Sequence, residues 1–224
     1  MRERYCYKCM EPVGETSAFC TQCGFPLGKY AAEAHQLKAE TLLRDRYYVG
    51  KVLGEGGFGI TYVGWDTYFN EKIAIKEFYM NGYVIRDHTI SDEVRSSGTN
   101  GQLFEKNRER FLLEARTLAK FREESGIVNV RDFFKENNTA YLVMDFLDGI
   151  TLQDYVKQNG KLSGEQVLTM LEPVFQALEN VHSQNLIHRD ISPDNIMMTK
   201  DGKVKLLDFG AAREVSQEDS RSLS

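Results

Sequence analysis

The sequence predicts an α+β fold: a β-rich segment, then a mostly helical one, with a small four-cysteine ribbon in front. Three observations predict it. All four cysteines fall near the N-terminus, as Cys6-x-x-Cys9 and Cys20-x-x-Cys23. From Tyr47, β-branched and aromatic residues flank a glycine cluster in YYVGKVLGEGGFGITYVGWD and recur in KIAIKEF, the pattern of strands. Beyond Gln102, apolar residues recur at helical spacing in LFEKNRERFLLEARTLAKFREE and again in GEQVLTMLEPVFQALENVHSQ.

The 224 residues suffice for one or two domains, and the net charge of −5 gives no basic footprint for nucleic acid. No apolar run approaches a membrane span, and MRERYCYKCM lacks the apolar core of a signal peptide. The expected address is the cytoplasm, where clustered cysteines serve more often as metal ligands than in disulfides. Each C-x-x-C pair can place two thiolates on one tetrahedral ion from a tight turn. Together Cys6, Cys9, Cys20 and Cys23 make a closed structural zinc set with no open position for catalysis. Gly24 follows the second pair, where such a turn often needs a positive φ. Two disulfides, or four unrelated thiols, are the alternative. The ribbon, 1–28, is too short to bury a core alone, so the metal would supply its folding energy. Its binding partner is not legible. Residues 29–46, including AAEAHQLKAETLLRD, are rich in helix formers and read as a linker with one short helix.

Gly54-x-Gly56-x-x-Gly59, with Gly57 inside it, joins two strands. Small residues there let backbone N–H groups approach phosphates closely. A dinucleotide fingerprint shares the spacing but needs a helix after the glycines, and ITYVGW reads as a strand. Lys76, at the polar end of the next strand, is placed to bind phosphates; in isolation it would read as a solvated strand lysine. On the first helix Phe111, Ala115, Leu118 and Ala119 define a buried face. Glu114 lies close to that face, an odd place for an unpartnered charge, which makes it the candidate to pair with Lys76. Glu105 and Glu109 read as solvated. The polar stretch 78–102 reads as an exposed insertion, with His88 on its surface.

Residues 188–210 read HRDISPDNIMMTKDGKVKLLDFG and hold Asp190, then Asn195, then Asp208-Phe209-Gly210. In phosphoryl transfer Asp190 would accept the proton of an attacking hydroxyl, and Asn195 and Asp208 would hold Mg²⁺ against the phosphates of ATP. A lone D-F-G carries no information; the ordered set, with the glycine loop and lysine upstream, is specific. On these motifs, from about residue 43 to 224, the chain resembles the eukaryotic-type Ser/Thr protein kinases in their bacterial form. LGEGGFGITYVGWD and IAIKEF, joined to a zinc ribbon, look especially like multidomain kinases of Gram-positive bacteria.

The resemblance implies a protein-kinase-like bilobal fold over 47–224. An N-lobe, 47–147, would hold a five-stranded antiparallel sheet and one principal helix. An incomplete helical C-lobe, 148–224, would follow. The implied activity is phosphoryl transfer from Mg-ATP to Ser/Thr hydroxyls of a protein substrate that the sequence does not identify. By the same resemblance Met144 is the gatekeeper, and the backbone of Asp145 and Leu147 bonds the adenine edge. Leu53, Thr61 and Ala74 line the pocket above the ring, and Met197 lies beneath it. His188 would shape the catalytic loop by packing under Phe209, and Arg189 would pair with a phosphorylated activation loop.

Three departures from the family pattern matter. Thr61 replaces the usual valine. Ser192 stands where the Ser/Thr branch carries a lysine that neutralises the transferring phosphate. The chain stops at Ser224 without an A-P-E motif, in a tail whose Ser216, Ser220, Ser222 and Ser224 are candidate phosphosites. These departures predict a C-terminally truncated kinase of weakened activity. A non-catalytic, nucleotide-binding module with a zinc ribbon is the competing reading, and a small-molecule phosphotransferase is a third.

Overall fold

The computed structural model describes residues 4–57, 59–96, 100–184, 186–207 and 213–214. The chain forms two compact units, Met1–Leu113 with Arg131–Phe146, and Glu114–Val130 with Leu147–Ser224.

The first unit opens with a two-stranded hairpin, β1 (Arg4–Tyr5) and β2 (Pro12–Val13). Its main body is a six-stranded antiparallel sheet in the order β3-β4-β5-β6-β10-β9. The strands are β3 (Leu42–Leu43), β4 (Tyr47–Gly56), β5 (Gly59–Asp66), β6 (Glu71–Phe78), β9 (Val130–Glu136) and β10 (Thr139–Asp145). A two-residue turn, Asn137-Asn138, joins β9 to β10 with both residues at positive φ. That conformation matches the twist of the flanking strands, and asparagine tolerates it better than most residues.

The sixth strand comes from the segment that reads as a linker, and that expectation needs correction. Among its described residues no α-helix forms. Leu37 and Leu43 are buried, and Leu42-Leu43 pairs with Tyr47-Tyr48. Glu40 N–H donates to Val49 O (2.9 Å), Val49 N–H to Thr41 O (2.8 Å) and Lys51 N–H to Tyr7 O (2.8 Å). The N-terminal residues thus cover the open edge of β4, satisfying amides that would otherwise template aggregation. Helix propensity is a weak preference, overridden here by two buried leucines and a row of edge hydrogen bonds. The ribbon is also packed on the sheet. Tyr5, Met10, Tyr48 and Val63 form one buried cluster, with the Tyr5 ring stacked on Trp65 at 5.3 Å.

The insertion also differs from its expected form. β7 (Val84–Arg86) pairs with β8 (Val94–Ser96), and Val84, Arg86 and Val94 are buried. His88 is largely covered, with Nδ1 against Asp92 (2.7 Å) and Nε2 against the Gln36 carbonyl (2.6 Å). Arg86 forms an ion pair with Glu77 in which both side chains are fully buried. The Tyr62 and Tyr141 hydroxyls donate to the same carboxylate, at 2.9 and 3.0 Å. A solvated polar insertion would give none of this; Arg86 and the two valines turn its inner side into core.

Helix α1 (Gly101–Leu118) begins in this unit, with Phe104 and Phe111 against Phe78. Of its expected apolar face Phe111, Ala115 and Leu118 are buried, whereas Ala119 is half-buried in the single 3₁₀ turn that follows α1. Glu105 and Glu109, read as solvated, are exposed and make ion pairs with the buried Arg108 and the exposed Lys135.

The second unit holds a small sheet, β11 (Gly149–Thr151), β13 (Ile196–Thr199) and β14 (Val204–Leu206), and two helices, α2 (Leu152–Asn159) and α3 (Gly164–Ser183). β12 (Leu186–Ile187) pairs with β15 (Arg213–Glu214). Thr151 caps α2, and Ser163 with Gln166 forms a capping box on α3. On α3 Val174, Leu178 and Val181 are buried, whereas Val167, Met170 and Leu171 are half-buried. Gly126 sits tightly against α3, where an added Cβ would run into the Pro173 carbonyl. We expect Gly126→Ala to destabilise this unit by about 3 kcal/mol, read as a lowered urea midpoint. Gly164→Ala, with open space around it, should shift the midpoint little. Among the described residues no helix is long and apolar enough to cross a membrane.

Candidate active site and metal centre

The cysteines come together. One ligand atom from each of Cys6, Cys9, Cys20 and Cys23 lies within 4.8 Å of all the others. Cys6 and Cys23 sulfurs are 3.6 Å apart, as are those of Cys9 and Cys20, and none is in a disulfide. Four sulfurs around one zinc stand about 3.8 Å apart for a Zn–S bond of about 2.3 Å, so the donor set fits that ion. Two matching turns build it. Met10 N–H donates to Cys6 O and Gly24 N–H to Cys20 O, both at 2.9 Å. Met10 and Gly24 have φ of 64° and 70°. Gly24 meets the sequence expectation; Met10 takes the same strained conformation with its side chain buried beside Gly50 and Val63. Burial pushes the Cys6 and Cys9 thiols up. At Cys20 burial acts upward too, but hydrogen bonds from the Cys23 and Gln22 amides and the Cys9 and Cys6 side chains together outweigh it and leave the thiol lowered to about 7. Such packed sulfurs suit a cation that takes the place of their protons.

In the first unit β4, the glycine turn and β5 form the expected hairpin. Thr61 and Leu142 lie opposite Lys76, and Val63 and Met144 opposite Ala74. Residues paired across strands share a face, and side chains alternate along each strand. Thr61, Ala74, Lys76 and Met144 therefore lie on one face. Ala74 and Met144 are buried, Thr61 and Lys76 half-buried, and Leu53 exposed at the β4 bulge. The glycines differ among themselves. A Cβ at Gly59 would press on the Glu77 carbonyl at 2.8 Å, so the hairpin itself needs that glycine. A Cβ at Gly54, Gly56 or Gly57 would meet nothing within 4 Å among the described residues, and none of the three has a positive φ.

In the second unit the residues of the His188–Asn195 segment converge. Asn195 Nδ2 donates to Asp190 Oδ2 (2.9 Å) and to Asp190 O (3.0 Å). Asp190 N–H donates to Nδ1 of the fully buried His188 (3.3 Å). Arg189 between them has φ 68°. A single helical turn, Pro193–Asn195, brings Asn195 back to Asp190, closed by Asn195 N–H to Ser192 O (3.0 Å). The Leu207 amide donates to Asn195 O (2.8 Å), which anchors the strand leading to Asp208. Met197 and Leu147 are half-buried in this unit, and Glu114 is half-buried on its share of α1. Asp145, in the first unit, directs its carboxylate to Arg131 and stands opposite Ile73 in the β10–β6 ladder. Asp208, Phe209, Gly210 and the four tail serines lie outside the described residues.

Sequence reasoning missed one set of contacts. Glu55, inside the glycine segment, is held by His35 Nε2 (2.8 Å) and Gln36 Nε2 (3.0 Å). Nothing in HQL within a helix-rich stretch signals this pairing.

A family model described as the protein kinase domain matches residues 47–223. Over 177 residues the chain is 30% identical to a probable serine/threonine-protein kinase PknB of Lactococcus lactis, covering 79% of this chain and 25% of that protein. It is 37% identical over 179 residues to the serine/threonine-protein kinase PknA of Nostoc sp., covering 78% and 29%. A solved structure, the apo form of PpkA-294, superposes with a TM-score of 0.72 at 32% identity, covering 79% of this chain and 62% of that one. The chain thus spans less than a third of the length of these two curated relatives.

Proposed function

This chain belongs to the protein kinase family, and from that premise we propose that it transfers a phosphoryl group from Mg-ATP to Ser/Thr hydroxyls of a protein substrate. The observation that carries the reading is the contrast among the glycines. The hairpin itself requires Gly59, whereas Gly54, Gly56 and Gly57 answer no demand of the described fold. Close approach of a phosphate to the backbone is what asks for them.

In this reading Lys76 binds the α- and β-phosphates, with Glu114 as its proposed partner. Leu53, Thr61, Ala74, Met144, Asp145, Leu147 and Met197 hold the adenine. Bound Mg-ATP supplies the transferable phosphoryl group. Asp190 takes the proton of the attacking hydroxyl, and the Asn195 amide fixes its Oδ2. With Nδ2 so engaged, Asn195 Oδ1 is the atom left for Mg²⁺, and Asp208 is the second proposed ligand. Ser192 brings no charge to the loop, so neutralising the transferring phosphate falls to Lys76 and the metal. Cys6, Cys9, Cys20 and Cys23 hold a structural zinc ion in the proposed ribbon at 1–28.

The test is thermal stabilisation by Mg-ATP together with phosphotransfer to a generic protein substrate. At a hundredfold excess over Kd the ligand should stabilise the parent chain by about 2.7 kcal/mol. Lys76→Met should lose most of that shift. Asp190→Asn should keep it and lose about 10²–10⁴-fold in turnover. A parent chain whose stability ignores Mg-ATP overturns the reading.

A further inference from the structure

We propose that His35 and Gln36 are positioning residues that clamp the glycine-rich loop from behind, through Glu55, and so ready it for the phosphates of the nucleotide. The inference rests on the nucleotide-binding reading above. Both oxygens of the Glu55 carboxylate are engaged, Oε1 by His35 Nε2 (2.8 Å) and Oε2 by Gln36 Nε2 (3.0 Å). Gln36 is buried, and its own Oε1 accepts from Glu33 N–H (3.1 Å), so its amide is oriented before it meets the loop. The His35 ring packs beside Tyr79 at 5.6 Å.

The segment bearing these side chains is itself pinned at three successive residues. Arg86 Nη1 donates to His35 O (2.6 Å), His88 Nε2 meets Gln36 O (2.6 Å), and Leu37 N–H donates to the Tyr62 hydroxyl (3.0 Å). Arg86 and Tyr62 are fixed in turn by the buried Glu77. A back plate, made from the N-terminal segment and the β7-β8 hairpin, therefore reaches the loop at Glu55.

The side of the contact matters. Glu55 pairs across the hairpin with Ile60, the neighbour of Thr61, so it lies on the face opposite Thr61 and Lys76. The clamp grips the loop without occupying the face that carries Lys76. Glycine-rich backbone loses more conformational freedom on ordering than any other, and a loop ordered in advance spares the ligand that cost.

The experiment compares the full chain with His35→Ala/Gln36→Ala, measuring Kd for Mg-ADP and for adenosine by calorimetry. Hydrogen exchange of the loop peptide is followed without ligand. Losing the two charge-assisted bonds should weaken Mg-ADP about five- to tenfold. Adenosine, which has no phosphate, should keep its affinity, and exchange in the loop should quicken. His35→Gln, which retains a donor, should recover part of the loss against His35→Ala. Unchanged or tighter Mg-ADP binding in the double variant overturns the clamp, and so does an equal loss for adenosine, which marks general damage. A parent chain that binds neither ligand overturns the nucleotide reading itself, a result distinct from these.

Discussion

Replacing Cys20 with serine is expected to abolish zinc binding, taking the chain from one bound ion to none by elemental analysis. Zinc binding contributes about 10–16 kcal/mol to small modules of this kind, because the site does not exist until the chain folds around the ion. Cys20 is buried, and hydrogen bonds from neighbouring amides and thiols already hold its thiol below the usual range. The consequence should reach beyond the ribbon. Met10, in the first knuckle, fills the space beside Gly50 and Val63, and Tyr5 stacks on Trp65. Without the ion these residues lose the turns that aim them. Fluorescence of Trp65, the only tryptophan, should therefore change on chelation of the parent chain and should match that of the Cys20→Ser variant. Undiminished zinc in the variant would show that the cysteines do not form one site.

The second large effect lies under the β7-β8 hairpin. Glu77→Gln should destabilise the first unit by about 3–5 kcal/mol, since it leaves the Arg86 charge buried and uncompensated. Burial works to lower the Arg86 pKa, and the Glu77 carboxylate outweighs it, so the net direction is upward and the guanidinium stays charged. Tyr62 and Tyr141 donate to different oxygens of that carboxylate, so one of the two hydroxyls would face an NH₂ donor in place of its acceptor. Replacing both charges, as Glu77→Met with Arg86→Met, should cost less than Glu77→Gln alone, because it removes the charges instead of stranding one. Removing an exposed pair through Glu109→Ala should change stability by no more than about 1 kcal/mol. Urea unfolding followed by Trp65 reads all three. A Glu77→Gln midpoint equal to that of the parent would refute the role assigned to the buried pair.

These two sites mark the boundary of what a sequence shows. The four-cysteine cluster is legible because each Cys-x-x-Cys pair sits on its own four-residue turn, and the turn chemistry at Gly24 is local. The pairing of Asp190 with Asn195 is legible for the same reason: one helical turn after Ser192 suffices to carry Asn195 back to Asp190. The strands around the glycine turn and the apolar face of α1 follow from periods of two and of 3.6 residues. By contrast, the packing of the ribbon on the sheet, the third strand at Leu42-Leu43 and the burial of Arg86 are long-range results. Helix-forming residues between Ala31 and Arg44 promised a linker, and polar residues around His88 promised a surface. Each segment was instead claimed by an unpaired strand edge and a sheet face needing cover, which no local pattern announces. Glu55 meets Gln36 and Arg86 meets Glu77 only because the sheet and its cover bring them there. Sequence alone determined the two cysteine turns and the closure of Asn195 on Asp190, since each forms within a few residues of chain. Tertiary structure decided what backs the glycine loop, since burial and edge pairing are properties of the assembled sheet.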